Sequence, residues 1–453
     1  MRTTAGGRSA LPPPRGGRSP GRFFSSRPCR ARFRASWWLA LATAVVLFSP
    51  PQIASPQSWP RHVVDRSSCG ADGVRLADVN GDGLLDIATA WEEGGLVRVY
   101  VHPGPARVRQ PWPAVTVGKT ESPEDAVLVD LDADGAMDVV SCCEGRNRSV
   151  YVHWAPTDPA RYYDPSAWRT EPIPCTRGVQ MWMFALPLRV DSQHGVDLVI
   201  GSKGEAASVS WLQSPARPRD LTRWQLHRLC DAGWVMSLCA CDMDRDGDLD
   251  IVVSDRKGNQ RGILWLENPG RQETPRLTSW HAHRLDAGDR EVMFLTLAEF
   301  DSGTGQEVFC AVRGRGISHL WRRFPAGPWS VEEIPMPPNC GTGKAVAVGD
   351  IDGDGRKDLV FSCENAHGEL SGVRWMSRNG ASPITWIDHE ISGAAGTKFD
   401  LVELLDLDAD GDLDVVTCEE SENLGVVWYE NPSPPPPVAL PRRKGRSSWF
   451  SGP

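Results

Sequence analysis

Between residues 59 and 429 the chain alternates apolar and polar side chains in short runs, separated by clusters of Gly, Pro, Asn and Asp. Period-two alternation bounded by turn residues predicts β-strands, and no stretch sustains the 3.6-residue period of a helix. The runs recur in groups of four. In the fourth group, Val235–Cys241 alternates into an acidic loop and Leu249–Ser254 leaves it. Gly262–Leu266 then ends at Asn268-Pro269, and Trp280–Leu285 closes the group.

Two independent signals fix the repeat. Five loops share the pattern D-x-[DN]-x-D-G-x-x-D, beginning at Asp78, Asp130, Asp242, Asp350 and Asp406, and worn copies run from Arg189 to Asp197 and from Glu299 to Glu307. Their ninth positions fall at residues 86, 138, 197, 250, 307, 358 and 414, spaced 51 to 59 apart. A Trp followed five residues later by an aliphatic also occurs seven times, as Trp59/Val64, Trp112/Val117, Trp168/Ile173, Trp224/Leu229, Trp280/Leu285, Trp329/Ile334 and Trp386/Ile391. Four strands per repeat of this length predict an all-β fold, a seven-bladed β-propeller with four antiparallel strands per blade; an open β-solenoid is the alternative. The last repeat stops at Pro432 without its Trp strand, whereas Trp59–Val64 precedes the first acidic loop. The N-terminal strand is therefore expected to complete the last blade and close the ring, leaving no free edge.

The ends of the chain read differently. Residues 1–55 begin with nine Arg and no acid before an apolar run from Trp37 to Phe48, the layout of a signal peptide and too short to span a bilayer. Residues 433–453 are Pro-rich and basic, as in a disordered tail. Export would make the protein secreted, periplasmic or cell-surface, with no membrane span in the mature chain. Of 49 basic residues, nine lie in the first segment and four in the last, so residues 56–432 hold 36 against 58 acids, a net charge of −22. Such acidity excludes nucleic acid as a partner and suits bound cations. Twelve cysteines fit an oxidising compartment, and loss of Cys29 with the first segment leaves eleven. Cys69, Cys142, Cys143, Cys175, Cys230, Cys340, Cys363 and Cys418 fall near one face, where Cys340 and Cys363 form the first pair to test for a disulfide. Cys239 and Cys241, one residue apart, do not have zinc spacing.

The acidic loops point to calcium, a hard cation that takes six to eight oxygens. Positions one, three, five and nine supply side chains and position seven a carbonyl, while Gly at position six permits the turn. The expected ligand sets are Asp78, Asn80, Asp82, Leu84 and Asp86; Asp130, Asp132, Asp134, Ala136 and Asp138; Asp242, Asp244, Asp246, Asp248 and Asp250; Asp350, Asp352, Asp354, Arg356 and Asp358; and Asp406, Asp408, Asp410, Asp412 and Asp414. That is about five Ca2+ ions. An EF-hand needs Glu at position twelve, where this chain has Thr89, Ser141, Val253, Phe361 and Thr417.

In motif, period and strand context, residues 59–432 resemble the FG-GAP-like (VCBS) repeat, related to the propeller of integrin α-subunits. Literal Phe-Gly and Gly-Ala-Pro cage sequences are absent, so integrin-type recognition does not carry over. The resemblance implies an extracellular binding module with a carbohydrate or protein ligand; a sugar lyase or dehydratase is the alternative it leaves open.

A ligand is expected on the face away from the acidic loops. Six residues past each ninth position stand Glu92, Glu144, Lys203, Arg256, Arg313, Glu364 and Glu420, three basic blades opposite four acidic ones. This series is a candidate rim for an acidic sugar or a charged protein, against the simpler reading of a solvated charged edge. Histidines 62, 227, 283 and 389 recur in the outer strands, too far apart to share a site, and read as structural. Trp154, Trp211, Trp265, Trp321, Trp375 and Trp428 recur in the third strands and are expected to pack between blades. Sugar stacking is left to loop Trp such as Trp91, Trp182 or Trp234. No nucleophile elbow, phosphate loop, dinucleotide fingerprint or H-E-x-x-H motif occurs.

Overall fold

The computed structural model describes residues 58–432 apart from 192, 271–279, 286–289, 302–304, 315, 324–326 and 381–383. The signal-peptide and tail segments read from the sequence lie outside the described residues. The described chain forms seven four-stranded antiparallel sheets. Their inner strands are Ala71–Ala77, Pro123–Val129, Met181–Leu188, Val235–Cys241, Val292–Ala298, Thr342–Gly349 and Phe399–Leu405, each packed against the next and the last against the first. This is the expected seven-bladed ring. The fourth blade takes Val235–Cys241, Asp250–Asp255, Gly262–Glu267 and His281–Arg284, within a residue or so of the sequence reading.

Strands form here because each sheet is covered on both faces. Six of the seven second strands, such as Asp86–Trp91 and Asp414–Glu419, are buried along their whole length between neighbouring blades, and Asp197–Lys203 is buried up to Lys203. Apolar clusters span adjacent blades. One joins blades one and two through Ala88, Val97, Val115, Leu128 and Val139, and another joins blades two and three through Val140, Val152, Trp182 and Ile200. Of the third-strand tryptophans, Trp154, Trp211, Trp265, Trp375 and Trp428 are 8% exposed or less and fill the space between blades, while Trp321 is half-buried. Blade seven is completed by the N-terminal strand, as expected. Arg61–Asp65 pairs with Gly425–Tyr429, with His62 opposite Trp428 and Val63 opposite Val427.

Each inner strand carries a β-bulge near its start. The register slips at Asp72/Arg75, Pro123/Asp125, Trp182/Phe184, Val235/Ser237, Val292/Leu295, Gly343/Ala345 and Phe399/Val402. An extra residue bends the strand and re-aims its side chain. In this ring the bulges lie at the centre, on the face away from the acidic loops.

Ring closure depends on few residues. Trp59 and Val64 are 7% and 4% exposed, and burying two such side chains contributes roughly 3 kcal/mol or more. Deletion of residues 58–65 is therefore expected to lower unfolding free energy by at least that amount in a urea melt, and to expose the edge of Gly425–Tyr429. An unchanged midpoint and slope would show that the closing strand contributes nothing.

Candidate functional site

The acidic loops fold on their own backbone. In all five, the first-position Asp accepts the N–H groups of positions five and six, as Asp130 does from Asp134 and Gly135, or Asp406 from Asp410 and Gly411. Gly83, Gly135, Gly247, Gly355 and Gly411 at position six all have positive φ, as the turn requires. So does position four, which the sequence did not mark. It is Gly81 and Gly353 in two loops, but Ala133, Arg245 and Ala409 take left-handed φ of 60°, 67° and 59° in the others.

The ninth-position acid braces each loop. Asp86, Asp138, Asp197, Asp250, Asp358 and Asp414 are 1% exposed or less. One oxygen of each accepts the backbone N–H of the loop's second residue, and the other accepts an N–H at the end of the third strand, all at 2.7–3.2 Å. The worn loop of blade five is braced differently, from its third residue. Glu307 accepts from Asp301 N–H at 3.4 Å and pairs with His319 at 2.5 Å. Burial and the neighbouring loop carboxylates push Asp86, Asp250 and Asp358 up to about 6, and Asp138 and Asp414 up to about 7.

Among the remaining expected ligands, Asp130, Asp132 and Asp138 converge within 4.8 Å, as do Asp242, Asp244 and Asp246. Arginines from the next blade reach the same loops. Arg219 bonds Asp132 and Asp134, Arg109 bonds Asp408 and Glu430, and Arg378 bonds Asp301 at 2.8 Å. Asp412, at position seven of the last loop, is 7% exposed, and among the described residues no amide, hydroxyl or cationic group donates to either of its oxygens. Burial first, and then Asp410, Asp414 and Asp408, push its carboxyl up to about 7.

On the opposite face the centre of the ring is a charged well of about 230 Å3. Glu92, Lys203, Arg256 and Glu364 of the expected rim line it. Glu144 bonds Lys203, Glu420 bonds Lys398, and Arg313 links Glu291 and Glu364 at 3.8 and 3.6 Å. Arg256 pairs with Glu291 at 3.1 Å. Six of the seven rim residues are thus paired, and three are buried, Arg256 at 7% and Glu364 and Glu420 each at 9% exposed, while Arg313 stays exposed.

The sequence reading missed the innermost layer, which comes from the bulges. Asp72, Glu124, Lys344 and Asp400 line the well beside Met183 and Met236. All stand six residues before the first position of their loops, a spacing that could have found them. Lys344 bonds Asp400 at 2.6 Å and Lys203 reaches Glu124 at 3.5 Å. Below them Arg75 bonds Asp125 at 3.3 Å and lies 4.3 Å over the Phe184 ring. The oxygens of Asp72, Glu92 and Glu124 lie within 4.8 Å of one another. Burial, then neighbouring acids, holds Asp72 well above the usual carboxylate range; burial pushes Glu124 up to about 8 against the pull of Lys203.

Two of the three tryptophans left for sugar stacking are excluded, since Trp91 and Trp182 are fully buried with their indole N–H groups bonded to Tyr100 and Thr176. Trp234 remains. It is half-buried between the well and an adjoining groove of about 680 Å3, with Lys203, Arg256 and Lys257 at 4.5–4.9 Å from its ring. Asp255 holds its loop by accepting the N–H groups of Gly233 and Trp234. The recurring histidines are structural: His62, His227, His283 and His389 pack on Trp428, Trp211, Trp265 and Trp375 at 4.0–4.8 Å. All eleven described cysteines are free thiols, and Cys340 and Cys363 are in hydrogen-bonding contact.

Two predictions follow from this geometry. A left-handed non-glycine residue costs roughly 1 kcal/mol, so Ala133→Gly and Ala409→Gly are each expected to raise unfolding free energy by up to about that amount, read from denaturant melts; a loss would mean that the turn is not under strain. Glu124, raised in the folded state, favours folding below its ordinary range near 4.5, and this contribution is lost as pH rises toward 8. Thermal melts of Glu124→Gln are expected to fall less than wild type between pH 5 and pH 8.5, and parallel curves would contradict the assignment.

Comparison with known proteins finds one family match. Residues 74–141 match the FG-GAP-like repeat. No curated protein matches the chain. Solved structures that resemble it include two crystal structures of BBS1N in complex with ARL6DN, one soaked with mercury and one with lead. They are 10% and 11% identical, cover 83% of this chain and 96% and 98% of their own, and give a TM-score of 0.47, too remote to bear on function. Among the described residues no helix is long and apolar enough to cross a membrane. With an FG-GAP-like repeat matched at residues 74–141 and seven four-stranded blades closed into a ring, the chain is a seven-bladed β-propeller that carries an FG-GAP-like repeat.

Proposed function

We propose that the protein is a secreted interaction module, its acidic loops holding about five calcium ions and its charged well receiving a carbohydrate or protein ligand. The observation that carries the ion reading is Asp412, a carboxylate taken out of water among other carboxylates with no donor among the described residues to satisfy it. Such a group is costly unless a cation joins it. The donor set is all oxygen, which suits calcium; positions one, three, five and seven would hold the ion, with the ninth acid shared between it and the backbone. When bound, the ion would neutralise the loop and stabilise the folded ring.

The ligand reading rests on the other face. Convergent charge and one half-buried tryptophan lie at the centre of a rigid scaffold, and the groove beside Trp234 continues outward between blades three and four. An acidic sugar chain suits this groove, as its rings can pack on the indole and its carboxylates meet Lys203 and Lys257.

Calcium stoichiometry with thermal melting before and after chelation tests the first half. Each site filled at 100 times its Kd adds about 2.7 kcal/mol, so chelation is expected to release about five ions and lower Tm substantially. No bound calcium and no shift would end the reading. For the second half, Trp234→Ala is expected to abolish binding to acidic glycans on an array while leaving Tm unchanged; retained binding would move the ligand elsewhere.

A further inference from the structure

The recurring Trp–His stack includes a third member. Two residues past each stacked Trp comes the side chain that bonds the His: Glu430 to His62 at 2.7 Å, Gln213 to His227 at 3.1 Å, Glu267 to His283 at 2.6 Å and Ser377 to His389 at 2.8 Å. The pair is therefore a structural hydrogen bond common to four blades. Blade four differs by one residue. Two positions before the recurring His stand Pro60, Gln225 and Ile387 in the other three blades, and His281 in this one.

Register puts all three groups on one face. Glu267 is directly opposite His281, and Trp265 directly opposite His283, on antiparallel strands. Alternate residues of a strand share a face, so His281 and His283 stand side by side along the sheet's outer edge. Glu267 Oε2 lies 3.3 Å from His281 Nδ1 and 2.6 Å from His283 Nε2, and the two imidazole rings are 4.2 Å apart. The donor atoms all fall within 4.8 Å of one another. Bond lengths of about 2.0–2.2 Å at a tetrahedral ion place its ligands roughly 3.3 Å apart, so the His281 contact already has that spacing and the His283 contact needs to open slightly.

We propose that Glu267, His281 and His283 form a surface site for a late first-row divalent metal ion, Zn2+ by chemical class, with its remaining position open to solvent. Two imidazoles and one carboxylate are a borderline-soft donor set, unlike the all-oxygen loops that suit calcium. His283 is held by its stack on Trp265 at 4.2 Å, which fixes one ligand in advance. A cavity of about 420 Å3 lined by Asp244, His283, Arg322 and Trp329 adjoins the His283 side of the site. His281 is exposed, so an ion can reach the site from solution.

The test is Zn2+ titration by calorimetry on calcium-saturated protein, in a Cys69→Ser background that removes the exposed thiol. Absorption of the Co2+ form reports geometry. Wild type is expected to bind one Zn2+ whose affinity falls at least tenfold in His281→Ala, with loss of the tetrahedral Co2+ spectrum. His283→Gln, which can still bond Glu267, is expected to lose the ion as well while keeping its melting temperature, and His227→Ala is expected to change neither readout. Absence of a Zn2+ equivalent in wild type, or equal affinity in His281→Ala, would overturn the proposal.

Discussion

Each blade of this ring is tied together by a carboxylate that faces no water. In six of the seven blades the acid at the ninth loop position accepts one N–H from the loop and one from the end of the third strand, and so joins the turn between the first two strands to the third strand of the same sheet. Charge-assisted bonds of this kind are stronger than neutral ones, and removing the acceptor would leave two buried N–H groups unmet. The brace also accounts for the pattern of wear. In the loop of repeat three the acids at the first and fifth positions have become Arg189 and Gln193, yet Asp197 still holds Val190 and Ser214. A blade can do without an ion-binding loop more easily than without this joint.

The two faces of the ring solve different electrostatic problems. On the loop face, arginines such as Arg219 and Arg109 cross from the next blade and neutralise part of the acidity while linking neighbours. At the centre of the other face the charges come from bulged residues, and pairs such as Lys344 with Asp400 balance one another inside the well. Among the described residues Asp72 and Glu92 make no ion pair, and burial raises the carboxyl of each.

Much of this was legible in the sequence because the fold is periodic. Spacing of the acidic loops and of the Trp strands set the number of blades, and counting strands at the two ends set the closure by Arg61–Asp65. The rim series was also readable, since Glu92 through Glu420 sit at one offset from the ninth position. What spacing could not supply was pairing and depth. Trp91 and Trp182 look like loop tryptophans in sequence, but each ends up between blades because its indole N–H finds an internal acceptor. Asp72, Glu124 and Lys344 share one offset from their loops, but that offset alone does not say which way they face. Only a register slip turns them toward the axis, and a slip has no compositional mark of its own. The left-handed fourth position was hidden for the same reason, as Ala133 and Arg245 carry no sign of it.

The closing strand has a consequence for how the molecule comes into being. Arg61–Asp65 is made first and its partner Gly425–Tyr429 last. Throughout synthesis the leading strand has no sheet to join, and closing a loop of this length costs on the order of 5 kcal/mol of chain entropy before the seam gives anything back. Blades one to six can each assemble from local hairpins, but the seam is the most non-local contact in the chain, and such contacts form late. Completion of the ring thus reports that the whole repeat array has been made.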